Sequence, residues 1–227
     1  MNKTHDGTNY GMTQYRWPLD FELAGRAFTL RSDKAVYELA FQDREFVECN
    51  GVLSQYEALK LDAEMHAVFF GETITTAVLD LAAGVAAVSA GEAGRYEFCR
   101  IDGFGSGDAA LPAYTDEMTD THVRWYFGCE RYMEHEYLAD GKCRCVWSPR
   151  TDRPRIAPAA YVKLAEGKYL VELNRCSPLH TDMPQGFSKI VLVQDWVHLL
   201  TVGCIYSPVL NEFSWFPDMP WSSKESG

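Results

Sequence analysis

The chain has 227 residues with 21 Lys and Arg against 32 Asp and Glu, a formal net charge of −11. A surface that negative repels phosphate backbones and anionic lipid, which excludes a general nucleic-acid or membrane-surface role. Hydrophobic residues make up 47% and charged residues 23%, a balance that excludes a disordered chain, and the 13% aromatic content suits strands around an apolar interior.

The seven cysteines are odd in number and scattered, without a C-x-x-C pair. The first residues, MNKTHDGTNYGMTQYRWP, lack the apolar run of a signal peptide, and no stretch reaches ~18 apolar residues. These features lead to the expectation of a soluble, reduced, cytoplasmic protein.

After an irregular tail to about Trp17, the chain reads as strands. Tyr37–Phe41, Ala67–Phe70, Thr76–Asp80, Lys168–Leu173 and Lys189–Val193 are short runs rich in β-branched and aromatic residues. Turn chemistry separates them at Gln42-Asp43, Asn50-Gly51, Ala83-Gly84, Asp140-Gly141 and Glu166-Gly167. The Ala-rich segment Ala77–Ala93 is the best helix candidate, but Asp80 and Gly84 fit a hairpin better. Low helical content and an antiparallel barrel or sandwich follow. The Gly-rich stretch after Asp102 and the acidic Thr115–Asp120 read as a linker, and the chain beyond about Pro217 as a second tail.

The two halves resemble each other. Glu38–Cys49 can be laid over Glu136–Trp147, with Glu38 opposite Glu136. The Tyr56 block leading into Met65–Phe70 matches the Tyr161 block leading into Lys168–Leu173, and Thr76–Leu81 matches Ile190–Asp195. The expected organisation is therefore all-β, with two tandem barrel repeats at 17–101 and 121–217 joined by 102–120. A single larger barrel made from both halves is the alternative.

Those blocks, in that order and doubled, resemble the molybdenum cofactor biosynthesis protein F (MoaF) family. The carrying residues are Gly25–Leu30, Tyr37–Phe41, the Tyr56 block and Thr76–Leu81, then Glu136–Leu138, Val146-Trp147, the Tyr161 block, Lys168–Val171 and Val202-Gly203. The resemblance implies a calycin-like, lipocalin-related barrel in two repeats. The family name derives from genomic association and does not establish action on molybdopterin. The hairpin Arg131–Trp147 is also similar to the early strands of phenolic acid decarboxylases, which combine Tyr, Arg and Glu in a barrel mouth.

A two-residue Asp140-Gly141 turn would pair Leu138 with Cys143, Tyr137 with Arg144, Glu136 with Cys145 and Glu134 with Trp147. One face then carries Glu134, Glu136, Cys143, Cys145 and Trp147, the other Met133, His135, Tyr137, Arg144 and Val146. The second set is the preferred interior, with Arg144 to clamp a carboxylate and Tyr137 and His135 to move a proton; the opposite face, with Glu134, Glu136 and Trp147, is the alternative. Glu136 is a further catalytic candidate, and Glu134, Trp147, Tyr161 and Tyr169 are ligand-binding candidates. Glu172 is expected to point away from the face of Tyr169 and Val171; His66 and His198 read as structural.

Cys143 and Cys145 share a strand face, but no second pair has zinc-like spacing, so neither metal nor cofactor is expected. Gly103–Asp108 lacks the spacing of a dinucleotide loop, and G-x-S-x-G is absent. The partner expected is a small aromatic or hydrophobic metabolite; a homodimer is left open. The functional expectation is a cofactor-independent lyase, isomerase or cyclase using acid–base chemistry. The alternative is a non-catalytic binder or accessory protein of pterin or molybdenum-cofactor metabolism.

Overall fold

The computed structural model describes residues 2–5, 19–71, 76–89, 94–126, 132–147, 150–174, 189–198, 200–207 and 212–216. Every regular element among them is a strand, as expected from the period-two patterning. The chain divides into two compact units, Trp17–Ala113 and Met1–Arg16 with Tyr114–Gly227.

After β1 (Asn2–His5), the first unit contains β2 (Ala27–Arg31), β3 (Val36–Phe41), β4 (Phe46–Cys49), β5 (Val52–Asp62), β6 (Met65–Phe70), β7 (Thr76–Asp80), β8 (Val85–Ser89) and β9 (Tyr96–Ile101). These form a closed antiparallel barrel, with β9 returning to β2 through Leu30↔Ile101 and Arg31↔Arg100. Closure removes the open sheet edges that would otherwise invite pairing. Phe28, Leu30, Leu39, Phe41, Val68, Phe70, Leu79 and Val88 fill it.

The short β10 (Ala113–Tyr114) pairs with β14 and precedes the strands of the second unit. These are β11 (Thr121–Tyr126), β12 (Tyr132–Leu138), β13 (Lys142–Trp147), β14 (Arg150–Ala165), β15 (Lys168–Asn174), β16 (Lys189–Asp195), β17 (Leu200–Ser207) and β18 (Glu212–Phe216). Its sheet runs from β11 to β18 in sequence order and ends on β1, which lies parallel to β18. The sheet wraps a core drawn from β11 to β16, including Trp125, Met133, Tyr161, Val171 and Leu192. Among the described residues, β18 does not close onto β11.

The duplication is visible bond by bond. Lys60↔His66 and Asp62↔Met65 flank a bulge at the end of β5; Lys163↔Tyr169 and Ala165↔Lys168 flank the same bulge in β14. Met65 pairs with Asp80 and Asp80 with Val85; Lys168 pairs with Asp195 and Asp195 with Leu200. The lead-in to each barrel matches too. Asp20 N–H donates to Ala58 and Gly25 N–H to Phe41, whereas Thr115 N–H donates to Tyr161 and Asp120 N–H to Tyr137. Gly25 and Asp120 both have positive φ, 78° and 61°. The buried Leu23 and Met118 plug the two cores from these lead-ins.

This correspondence sets Leu39 and Phe41 opposite His135 and Tyr137, and Glu38 opposite Glu134 rather than Glu136. The linker stretch is shared between the units. Asp102 pairs with Arg31 at 2.7 Å and Phe104 packs on Phe28 at 5.5 Å, whereas Glu117 binds Lys163 at 2.7 Å. A Cβ on Gly84 would lie 2.2 Å from the Phe104 carbonyl oxygen, so the Ala83-Gly84 turn must be glycine to admit this loop.

Candidate functional site

The β12–β13 register differs from the expected one. Three residues, Ala139, Asp140 and Gly141, separate Leu138 from its partner Lys142; φ is positive at Asp140 (59°) and Gly141 (62°). Ala159 N–H on β14 donates to Gly141 C=O at 2.8 Å, tying the turn to the next strand. The pairs become Tyr137↔Cys143, His135↔Cys145, Glu136↔Arg144 and Glu134↔Val146. A one-residue slip exchanges the faces of one strand relative to the other. His135 and Tyr137 therefore face the interior with Cys143 and Cys145, while Arg144 joins Glu134 and Glu136 outside.

Inside, a chain of neutral polar groups crosses the core. His135 and Tyr137 are fully buried, and His135 Nδ1 lies 3.3 Å from the Tyr137 hydroxyl. That hydroxyl meets Gln194 Oε1 at 2.9 Å and Gln194 Nε2 at 2.8 Å. Trp196 Nε1–H donates to Gln194 Oε1 at 3.1 Å. Indole can only donate, so it orients the amide and leaves Nε2 to donate to the phenol. The Tyr137 proton then has two acceptors, Oε1 and His135 Nδ1. Thr201 lies across from Gln194 on β17, 1% exposed. His135 Nε2 and Thr201 Oγ1 are both buried without a hydrogen-bond partner among the described residues.

The electrostatics keep these groups uncharged. Burial, reinforced by His122, drives the His135 pKa down to about 3. Burial raises the Tyr137 phenol well above its usual value, with Cys143 adding to the rise and the Gln194 hydrogen bond opposing it. Tyr161 rises chiefly through burial, with Cys143 and Cys145 adding to it. Its hydroxyl donates to the Lys142 carbonyl and its ring meets Tyr137 edge-on at 5.4 Å. Tyr169 packs on Trp196 at 5.1 Å and donates to Glu117 at 3.0 Å.

Outside, Arg144 pairs with Glu136 at 3.3 Å, the two side chains 41% and 43% exposed. Arg124 Nε donates to Glu134 at 2.6 Å, with His122 3.7 Å from the same carboxylate. This is a partly solvated ion-pair face, so Arg144 cannot clamp an interior carboxylate as the expected register would have it. The Trp147 side chain lies outside the described residues. Glu172 does point away from the Tyr169–Val171 face, onto Lys189 at 2.8 Å. His66 is buried against Asp20, while His198 is exposed and binds Asp195 at 2.9 Å.

Sequence reasoning missed Gln194 and Thr201. Their signal is a lone amide at the end of the apolar run Ile190–Val193, in a strand buried on both faces. A polar residue there needs an interior partner, but which one depends on a strand far away in sequence. No family profile and no curated protein matches the chain.

Proposed function

We propose that the protein binds a small, uncharged aromatic or hydrophobic metabolite inside the second barrel. Small barrels are suited to holding one such ligand. The observation carrying the reading is the exchange of apolar for polar groups at equivalent interior positions. Leu39, Phe41, Leu79 and Ala86 in the first barrel become His135, Tyr137, Gln194 and Thr201 in the second. Buried polar groups are costly unless paired, and His135 Nε2 and Thr201 Oγ1 offer hydrogen bonds that a ligand would complete. The interior face of β12 and β13 carries no charged side chain among its described residues, which favours a neutral ligand over one bearing a carboxylate for Arg144 to clamp.

Acid–base catalysis is the second reading, favoured by the His135–Tyr137 contact. In it, a bound ligand exchanges a proton with this pair and the protein is a cofactor-independent lyase, isomerase or cyclase. The MoaF-like sequence blocks make a pterin-related metabolite one ligand to try, and a non-catalytic accessory role remains compatible with the same site.

The test uses neutral N-phenylnaphthylamine and anionic anilinonaphthalene sulfonate as fluorescent probes. The neutral probe should bind saturably, with energy transfer from tryptophan, and more tightly than the anionic one. Ala157→Leu, which overfills the second core, should weaken binding about tenfold, corresponding to the 1–3 kcal/mol cost of overpacking. Arg144→Ala should leave it unchanged. No saturable binding, or equal binding by folded A157L, refutes the reading.

A further inference from the structure

The β13 dithiol holds two sulfurs in hydrogen-bonding contact, Cys145 Sγ donating to Cys143 Sγ, at a separation that also suits chelation. Cys143 and Cys145 are both fully buried on the interior face of one strand, with their sulfurs 3.7 Å apart. Two sulfurs on one tetrahedral zinc, at a Zn–S bond of about 2.3 Å, stand about 3.8 Å apart. In the first barrel the equivalent positions are Val47 and Cys49, so the second thiol is particular to the second barrel. Directly across from Cys145 stands His135, equivalent to Leu39, with Nε2 buried and unpartnered.

We propose that Cys143, Cys145 and His135 form a binding site for a thiophilic divalent cation such as zinc. The two sulfurs supply a preset chelate. Among the described residues no three ligating side chains converge as they stand, so turning the His135 ring towards the sulfurs completes the protein set and leaves a fourth position open. Each thiol gives up one proton as its sulfur bonds the cation: M²⁺ + 2 RSH → M(SR)₂ + 2 H⁺. Two thiolates, one divalent cation and a neutral imidazole sum to zero charge, the state a dry interior tolerates best. Tyr137, with Gln194 and Trp196 behind it, stands beside His135 as an outer partner of the kind that orients ligating histidines.

The inference goes beyond the ligand reading and does not depend on it. Its test is titration of the reduced, metal-free full chain with Cd²⁺, following the ultraviolet sulfur-to-cadmium charge-transfer band and proton release. One cation per chain and two protons per cation are expected. Cys143→Val installs the residue the first barrel uses there and should abolish the one-to-one titration with strand content intact by circular dichroism. Cys145→Ser gives the same result by a near-isosteric change. His135→Leu should weaken binding about tenfold or more while the band persists, and Cys49→Val should have no effect. Absence of the band at one equivalent, or its survival in folded C143V or C145S, overturns the proposal. Either result leaves the neutral-probe experiment to be judged separately.

Discussion

Tyr137 and Phe41 occupy the same position in two copies of one barrel, and they differ by a single hydroxyl. In the first barrel Phe41 and Leu79 belong to an apolar core; in the second the hydroxyl of Tyr137 meets the amide of Gln194. Removing one partner strands the other in a dry interior, which typically costs about 1–3 kcal/mol, whereas replacing both is closer to neutral. Tyr137→Phe should therefore destabilise by that amount, and adding Gln194→Leu should recover more than half of the loss. Trp196 is only half-buried and can turn its N–H towards water. Urea unfolding of the four proteins in the cycle measures the coupling. Additive losses would mean that the hydroxyl and amide do not depend on one another.

The β7–β8 and β16–β17 turns show how one element is reused with altered chemistry. Asp80 accepts a hydrogen bond from Ala83 N–H at 2.9 Å; Asp195 accepts from both Val197 and His198 N–H at 2.9 Å. Burial pushes the Asp195 carboxyl up, but the His198 side-chain and backbone hydrogen bonds, with the Lys168 and His198 charges, outweigh this and hold it below its usual value. A carboxylate depressed in the folded state contributes stability above its unfolded pKa, and that contribution is lost as pH falls through the folded one. In the window below about pH 4 the natural protein should lose stability that Asp195→Asn has already lost, so the two curves should converge. Equal slopes for the two proteins across that window, in urea titrations, would rule out Asp195 as a contributor.

Across the whole molecule, the lead-in of each unit is tied to its sheet by a different device. The first uses the Asp20–His66 pair, buried on both sides, while the second uses the half-exposed Glu117 with Lys163 and Tyr169. Breaking a buried pair from one side costs about 3–5 kcal/mol, so Asp20→Ala should destabilise strongly. Asp20 and Tyr137 share no hydrogen-bond partner and belong to different units. Their effects in the double variant should add to within about 0.5 kcal/mol. A coupling above about 1 kcal/mol, measured by denaturant unfolding, would mean that the two interiors are energetically joined.

The all-β architecture and its duplication were legible in the residues themselves, because strand periodicity, turn chemistry and the order of apolar blocks are local properties. So was the alternation of His135 and Tyr137 with Glu134 and Glu136, whatever their strand pairs with, while the choice of the inward face rested on the match to the first half. The position of Arg144 was not legible. It depended on whether two or three residues formed the Asp140-Gly141 turn, and a hydrogen bond from Ala159 on the neighbouring strand accompanies the longer turn. Gln194 could be recognised as an anomaly in an apolar strand, yet its partner Tyr137 lies 57 residues away. The Cys143–Cys145 spacing allowed a shared face but no sulfur separation. Local pattern determines which way a side chain points from its own strand; only tertiary packing decides which side chains from other strands meet it.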